Sequence, residues 1–234
     1  MQKNKDNIAS KTENTRQSRR MKSADNSCIV IYKDEYYFNP KDKTRIKSLG
    51  AKFSNINAFF FDYLGAYNIL TGFRQSENNS IVLSQHKRYP FGVRIINSVD
   101  KRTARIFSLP VGTPLTIPII EFHYGDLQDN LISEGTIVAL DVCPLEELKI
   151  IKRMCSKINA VLRSFFERRN LNMHEVYCYF GKDEDKIFVV DDFTPRSLKV
   201  TGEVLDRTGI NPYRLKTPAD LKQYVDFMLG AIKS

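Results

Sequence analysis

The feature that most restricts this chain is one long amphipathic stripe. Leu148, Ile151, Cys155, Ile158, Leu162 and Phe165 recur at alternating steps of three and four residues, which places them on one face of a helix from about residue 145 to 169. Pro144 suits the opening of that helix, where a missing N–H costs nothing. A helix with a single apolar face must bury it against a neighbour, and the flanking sequence supplies strands rather than a second long helix.

Those strands read as a ladder of short apolar runs. Residues 69–73, 81–83, 93–96, 106–109 and 115–122 are separated by polar, Gly or Pro breaks and predict a mostly antiparallel sheet. Residues 28–32 and 36–38 read as two further strands around the polar turn Lys33, Asp34, Glu35, and Phe53, Ile56, Phe60 and Leu64 fall at helical spacing over 53–64. After the long helix, 176–180 and 186–190 form an expected hairpin, and a final helix runs from Thr217 to Ile232 behind the capping pair Thr217 and Pro218. Strands, a long helix, a hairpin and a closing helix describe an α+β protein.

Charge divides the chain. Of the net +9, residues 1–26 hold +4, in a polar stretch with little apolar content that is expected to be a disordered basic leader. Residues 27–114 are expected to form a strand-rich N-terminal lobe and 115–234 an α+β C-terminal lobe. No apolar run approaches the roughly 20 residues that span a bilayer, and the first residues lack the apolar core of a secretory signal, so a cytosolic protein with no membrane partner is expected. Cys28, Cys143, Cys155 and Cys178 form no C-x-x-C pair and mostly sit beside apolar residues, as buried free thiols do. A nucleic acid is not among the expected partners, because the leader mixes acids with its bases.

The most suggestive chemical constellation is Asp191 and Asp192, delivered by the apolar run 187–190 and followed by Phe193, Thr194, Pro195 and Arg196. Successive strand residues point to opposite faces, so one carboxylate can face a site, and a hard cation takes one or two carboxylates together with phosphate oxygens. Two acids after a strand also make an ordinary turn or helix cap. His86, His123 and His174 show no metal or nucleophile spacing, and neither the G-x-x-x-x-G-K-[ST] loop nor the G-x-G-x-x-G fingerprint occurs.

Taken together, several strings resemble the SAICAR synthetases, ATP-dependent ligases of purine biosynthesis. The family's E-F-F-Y-K followed by D-P-L-I-N-E is similar to Glu121–Gly125 and Asp129–Glu134. Its helix A-x-x-V-N-x-x-L-x-x-x-F is similar to Cys155–Phe166, its F-K-L-E-F-G to Val176–Gly181, and its D-E-[FI]-S-P-D-x-x-R to Asp191–Lys199. A fainter likeness covers Lys52–Leu64. The resemblance implies a two-lobed α+β fold with ATP and Mg²⁺ in a cleft between the lobes. It also implies that ATP phosphorylates a substrate carboxylate and an amine, aspartate or a similar amino acid, then forms an amide. By position it makes Asp191 the Mg²⁺ ligand, Asp129 a substrate-pocket residue and Lys199 the stand-in for a substrate-binding Arg. Arg20 and Lys22 would be the remnant of a phosphate loop, and Arg94 and Arg196 would join Lys199 around a small anionic carboxylate. A homo-oligomer is compatible with this reading.

The departures fall at polar positions. Tyr177 and Tyr179 replace the Lys and Glu of F-K-L-E-F-G, and Gly92 and Ile96 replace the Glu and Arg of P-V-E-x-x-x-R-N. Residues 98–103 bear no likeness to the family's A-x-G-S phosphate stretch, the opening G-K-x-K has no Gly, and Arg196 replaces an Asp. An apolar frame kept while polar positions change leaves an ATP-dependent ligase acting on the purine intermediate or on an altered substrate; the alternative is a catalytically degenerate nucleotide-binding or protein-interaction module.

Overall fold

The structure, a computed structural model, describes residues 13–14, 18–22, 27–39, 42–125, 130–202 and 210–233. The elements run β1 (Glu13–Asn14), β2 (Ser18–Lys22), β3 (Ser27–Tyr32), β4 (Glu35–Asn39), β5 (Asp42–Arg45), α1 (Leu49–Ala66), β6 (Phe73–Glu77), β7 (Ser80–Ser84) and β8 (Lys87–Ser98). They continue α2 (Lys101–Phe107), β9 (Pro114–Tyr124), β10 (Leu131–Ile132), α3 (Glu134–Ala139), α4 (Leu145–Glu167), β11 (Leu171–Asp183), β12 (Lys186–Asp191), β13 (Leu198–Gly202) and α5 (Pro218–Lys233). The architecture is α+β, as expected. One antiparallel sheet has the order β1-β2-β3-β7-β6 and the other β10-β9-β8-β11-β12, with β13 paired to the first half of β11.

The stripe that opened the sequence reading forms the buried face of α4, where Leu148, Ile151, Cys155, Ile158, Leu162 and Phe165 are at most 1% exposed. Opposite it lie Val93, Ile95, Val176 and Cys178 from the second sheet. Helix α1 joins the lobes: Phe60 stacks edge-on with Phe165 and, with Phe61, meets Phe193 at 5.4 and 5.3 Å between centroids. Asp34 opens α1 by accepting from the Gly50 N–H at 2.9 Å. A side chain at Gly50 would run into the Tyr32 carbonyl, so this turn requires glycine. All four cysteines are free thiols.

Several expectations need correction. Ser18–Lys22, assigned to the disordered leader on its charge, is a strand along the whole of β3, because Arg20 and Ser18 bury against the lobe. Arg20 and Lys22 are therefore strand residues. Strand β8 belongs to the second sheet, so by sheet membership the lobes change between Ser84 and Lys87 and not at 114. Residues 106–109, expected as a strand, close the helix α2, whose N-cap Asp100 accepts from the Thr103 N–H at 2.8 Å. Strands β3 and β4 do not pair with each other; β4 pairs with β5, and β3 with β2 and β7.

Hydrogen bonds tie the first lobe to the strand that delivers Asp191 and to the turn beyond it. Gly72 N–H donates to Val189 O at 2.8 Å. Within α1, the buried Asn57 amide donates to Phe53 O at 2.8 Å, and its oxygen accepts from the Phe193 N–H at 2.6 Å. Replacing Asn57 with Ala strands that buried N–H, and a loss of about 1–3 kcal/mol of stability is expected. A lowered urea midpoint at unchanged slope in equilibrium unfolding would record it.

Candidate functional site

Strand alternation gives the second sheet two unlike faces. One face carries Val93, Ile95, Phe122, Val176 and Cys178 into the core against α4. The other carries Gly92 and Arg94 of β8, Glu121 and His123 of β9, and Glu175, Tyr177 and Tyr179 of β11. Register places Glu121, Arg94 and Tyr177 in one row and His123, Gly92, Tyr179 and Asp191 in the next. Most of this face is buried, with Glu175 at 4%, Glu121 at 7%, His123 at 3% and Tyr177 at 2% exposure.

Arg94 is the centre of the face. Its guanidinium donates to Glu175 through Nε at 2.9 Å and through Nη2, and from Nη1 to Asp100 at 2.9 Å and Glu121 at 3.4 Å. Burial opposes the charge on Arg94, but Glu175 and Asp100 outweigh it and raise its pKa. Burial likewise pushes the Asp100 and Glu121 carboxyls up. Hydrogen bonds from Thr103 and Arg94 at Asp100, and His123, Arg102 and Arg94 at Glu121, overcome it and hold both below the ordinary carboxylate range. His123 Nε2 lies 3.4 Å from Glu121 Oε2. Since that carboxylate can only accept, the Nε2 facing it bears a proton. Among the described residues, neither His123 Nδ1 nor the Tyr177 hydroxyl has a hydrogen-bond partner, and their rings are 5.4 Å apart.

Two cavities flank this face. The larger, about 800 Å³, lies between the lobes and is lined by Arg20, Ser27, Cys28, His86, Lys87, Arg88, Lys182, Asp183 and Glu184 among others. The smaller, about 400 Å³, is lined by Arg94, Asp100, Lys101, Arg102, His174, Tyr213 and Arg214, with Val99 and Val111 as apolar wall. A ridge connects them. Arg88 sits 4.2 Å over the Tyr179 ring, Tyr179 stacks on Tyr177 at 6.0 Å, and Tyr177 meets His123, which leads through Glu121 to Arg94 and Arg102.

The residues singled out from sequence are only partly brought together. Arg94 lines the smaller cavity, but three carboxylates already hold it. Lys199 donates to Pro195 O at 2.5 Å and Pro212 O at 3.4 Å. Burial, opposed by Glu175 and aided by Arg196 and Arg94, draws its pKa down to about 8. Arg196 is exposed on the turn beyond β12. Asp192 makes that turn, accepting weakly from Thr194 Oγ1 at 3.4 Å. Asp191 ends β12 opposite Tyr179; its side chain, that of Lys22, and Asp129 as a whole lie outside the described residues. Arg20 lines the larger cavity. Glu121, His123, Glu175, Arg88 and Asp100 were not singled out as site residues. Their signal was a polar residue at every second place of an apolar strand, or an acid three residues before a threonine.

The donor chemistry suits a polyphosphate better than a metal ion. Arg20, Lys87, Arg88 and Lys182 put four cations around the larger cavity, against the two carboxylates Asp183 and Glu184. A hard cation needs carboxylate or carbonyl oxygens. Across from Asp191 stands Tyr179, beyond it a Tyr177 whose phenol burial keeps protonated, and above it the guanidinium of Arg88. Among the described residues no three His, Cys, Asp or Glu are grouped to hold a metal. The described side chains of this face, which do not include that of Asp191, offer no group of acids that would hold Mg²⁺.

Comparison with known proteins matches residues 15–203 to the family model described as SAICAR synthetase. The phosphoribosylaminoimidazole-succinocarboxamide synthase of Clostridium kluyveri is 32% identical over 187 residues, which cover 76% of this chain and 80% of that protein. Among solved structures, a type-2 SAICAR synthetase in complex with ADP superposes with a TM-score of 0.84 at 22% identity, over 95% of this chain and 97% of the other. The phosphoribosylaminoimidazole-succinocarboxamide synthase of Ehrlichia chaffeensis gives 0.81 at 24%, over 94% and 98%. These two likenesses concern the fold.

Two stability measurements probe the face. Arg94→Leu leaves Glu175, Glu121 and Asp100 without their shared counter-charge and is expected to cost about 3–5 kcal/mol. Tyr177→Phe removes a hydroxyl that has no partner among the described residues, so it should be neutral or stabilising; denaturant titration compares the two. Lys199 tests the sign of a titration. Its folded pKa, about 8, lies below the ordinary 10.5, so between those values the unfolded chain binds more protons and stability rises with pH. Unfolding midpoints across pH 8 to 10.5 should show that rise in the parent chain and lack it in Lys199→Met.

Proposed function

Because the chain belongs to the SAICAR synthetase family, we propose that it is an ATP-dependent ligase joining an amine, aspartate or a similar amino acid, to a carboxylate other than the family's purine intermediate. The nucleotide's contribution is to activate a carboxylate by phosphoryl transfer, so that an amine can displace phosphate and leave an amide. The observation that carries the reading is the ridge of buried side chains connecting a cationic cavity between the lobes to a second cavity rimmed by Lys101, Arg102 and Arg214.

Each part has a task in this reading. Arg20, Lys87, Arg88 and Lys182 bind phosphate oxygens. Lys101, Arg102 and Arg214 attract an anionic acid, while Val99, Val111 and Tyr213 give its body an apolar wall. With Nε2 turned to Glu121, His123 Nδ1 is the atom left to take the proton that an acylated amine gives up. The Tyr177 hydroxyl can orient a substrate acceptor. An altered acid is supported by Asp100, a carboxylate in the stretch 98–103 that departs from the family's phosphate-binding sequence. There it engages Arg94 and would repel a phosphate.

The test is ADP release from ATP with aspartate and a panel of carboxylic acids, with Mg²⁺ and with EDTA. Turnover with at least one acid is expected, and His123→Phe should lower kcat on the order of 10²-fold. No release with any acid would overturn the ligase reading. One observation favours a second reading, a nucleotide-binding module without catalysis: Tyr179 stands where the family places a Glu. That reading predicts thermal stabilisation by ATP without ADP release, about 2.7 kcal/mol at 100 times Kd.

A further inference from the structure

Helix α2 buries none of its residues. The segment it opens leaves the wall of the smaller cavity at Lys101 and Arg102 and returns to it at Val111 and Gly112. Between those points lie Ile106, Phe107 and Leu109, which together with Val111 and with Ile117 of β9 are between 44% and 79% exposed. No loose loop holds them out. The Leu109 N–H donates to Ala104 O at 3.2 Å, the Gly112 N–H to Val99 O and the Val99 N–H to Thr113 O, both at 2.8 Å, and the Thr113 hydroxyl to Pro110 O at 2.8 Å. A run of large apolar side chains kept at the surface by a bonded turn marks a contact site. Val111 makes the run continuous with the cavity, because it is a wall of that cavity and is also exposed. Charge narrows what can lie there. Lys101, Arg102 and Arg105 flank the run on the same helix, Arg102 is paired with Glu121, and the one acid of the stretch, Asp100, is bound by Arg94. Cations are left in excess, which favours an anionic occupant over a second copy of the chain bearing the same charges.

Resting on the reading of the smaller cavity as the acid's site, we infer that the acid carries an apolar tail, which leaves the cavity past Val111 and lies along Phe107 and Leu109. ADP release by the full chain with ATP, Mg²⁺ and aspartate tests it, using straight-chain alkanoic acids of rising length and polyhydroxylated acids of the same lengths. KM should fall on the order of two- to fourfold for each methylene added to the alkanoic series, and should not fall in the hydroxylated one. Val111→Asp and Phe107→Ser, both at exposed positions, should flatten the alkanoic series. Thermal unfolding confirms that the variants fold, and if they do not, the two series in the parent chain decide. Turnover whose KM ignores tail length, or favours the hydroxylated acids, would overturn the inference and leave the ligase reading standing. With no turnover for any acid the ligase reading fails, and isothermal titration of the same acids without nucleotide then decides: binding that tightens with alkyl length supports the tail site, and no binding overturns it. A length dependence unchanged in both variants would overturn the placement on Val111 and Phe107. Sedimentation showing a dimer that Phe107→Ser dissociates would assign the run to a second copy and overturn the inference.

Discussion

Everything on the polar face depends on how Arg94 is kept charged inside the protein. Removing a guanidinium from water costs several kcal/mol, and only close, well-aligned carboxylates offset that cost. Glu175 on β11, Glu121 on β9 and Asp100 at the start of α2 supply them, so one side chain joins three neighbouring elements of the second half of the molecule. The arrangement also fixes secondary structure. Asp100 bonds the Thr103 N–H while it binds Arg94, and that cap turns residues 101–107 into a helix where apolar content alone suggested a strand. Through Glu121, the same charges orient His123 and so decide which nitrogen faces away from the carboxylate.

Because β8, β9 and β11 alternate faithfully, each contributes to two different tasks within a few residues. Val176 and Cys178 pack on the long helix, while Glu175, Tyr177 and Tyr179 make the site. Core and site are therefore not independently adjustable: the register that seats the stripe of α4 also aligns Glu121, Arg94 and Tyr177. The reciprocal amide pair of Asn97 and Asn159, at 2.8 and 2.9 Å, pins that register from the helix side. Asn57 and the Gly72–Val189 contact secure the edge of the sheet to the first lobe.

The stripe of α4, the hairpin of β11 with β12 and the terminal helix could be read from sequence because periodicity reports burial, and burial dominates those elements. The site could be read only in outline. Ion pairing across strands depends on register, which no local pattern encodes, so Arg94 was recognisable as a cation but not as one surrounded by Glu175, Glu121 and Asp100. Counting charge misplaced Ser18–Lys22 for the same reason. A strand with three cations looks like a solvated leader until a partner strand is known to bury Arg20. Arg88 passed as part of a basic run, since its contact with Tyr179 joins residues ninety-one positions apart.

The departures from the family pattern interlock. The resemblance places acids at positions 92 and 179; here Gly92 opens the space that the Tyr179 ring fills, and that ring carries the guanidinium of Arg88. The two positions are linked sterically: a side chain at 92 would collide with the ring. Beside them, His123 and Tyr177 stand where the family has a Phe and a Lys, and they face each other across the same two rows of the sheet. The substitutions at 92 and 179 accommodate one another in shape. On the same face the buried ions Arg94, Glu121 and Glu175 are matched to one another.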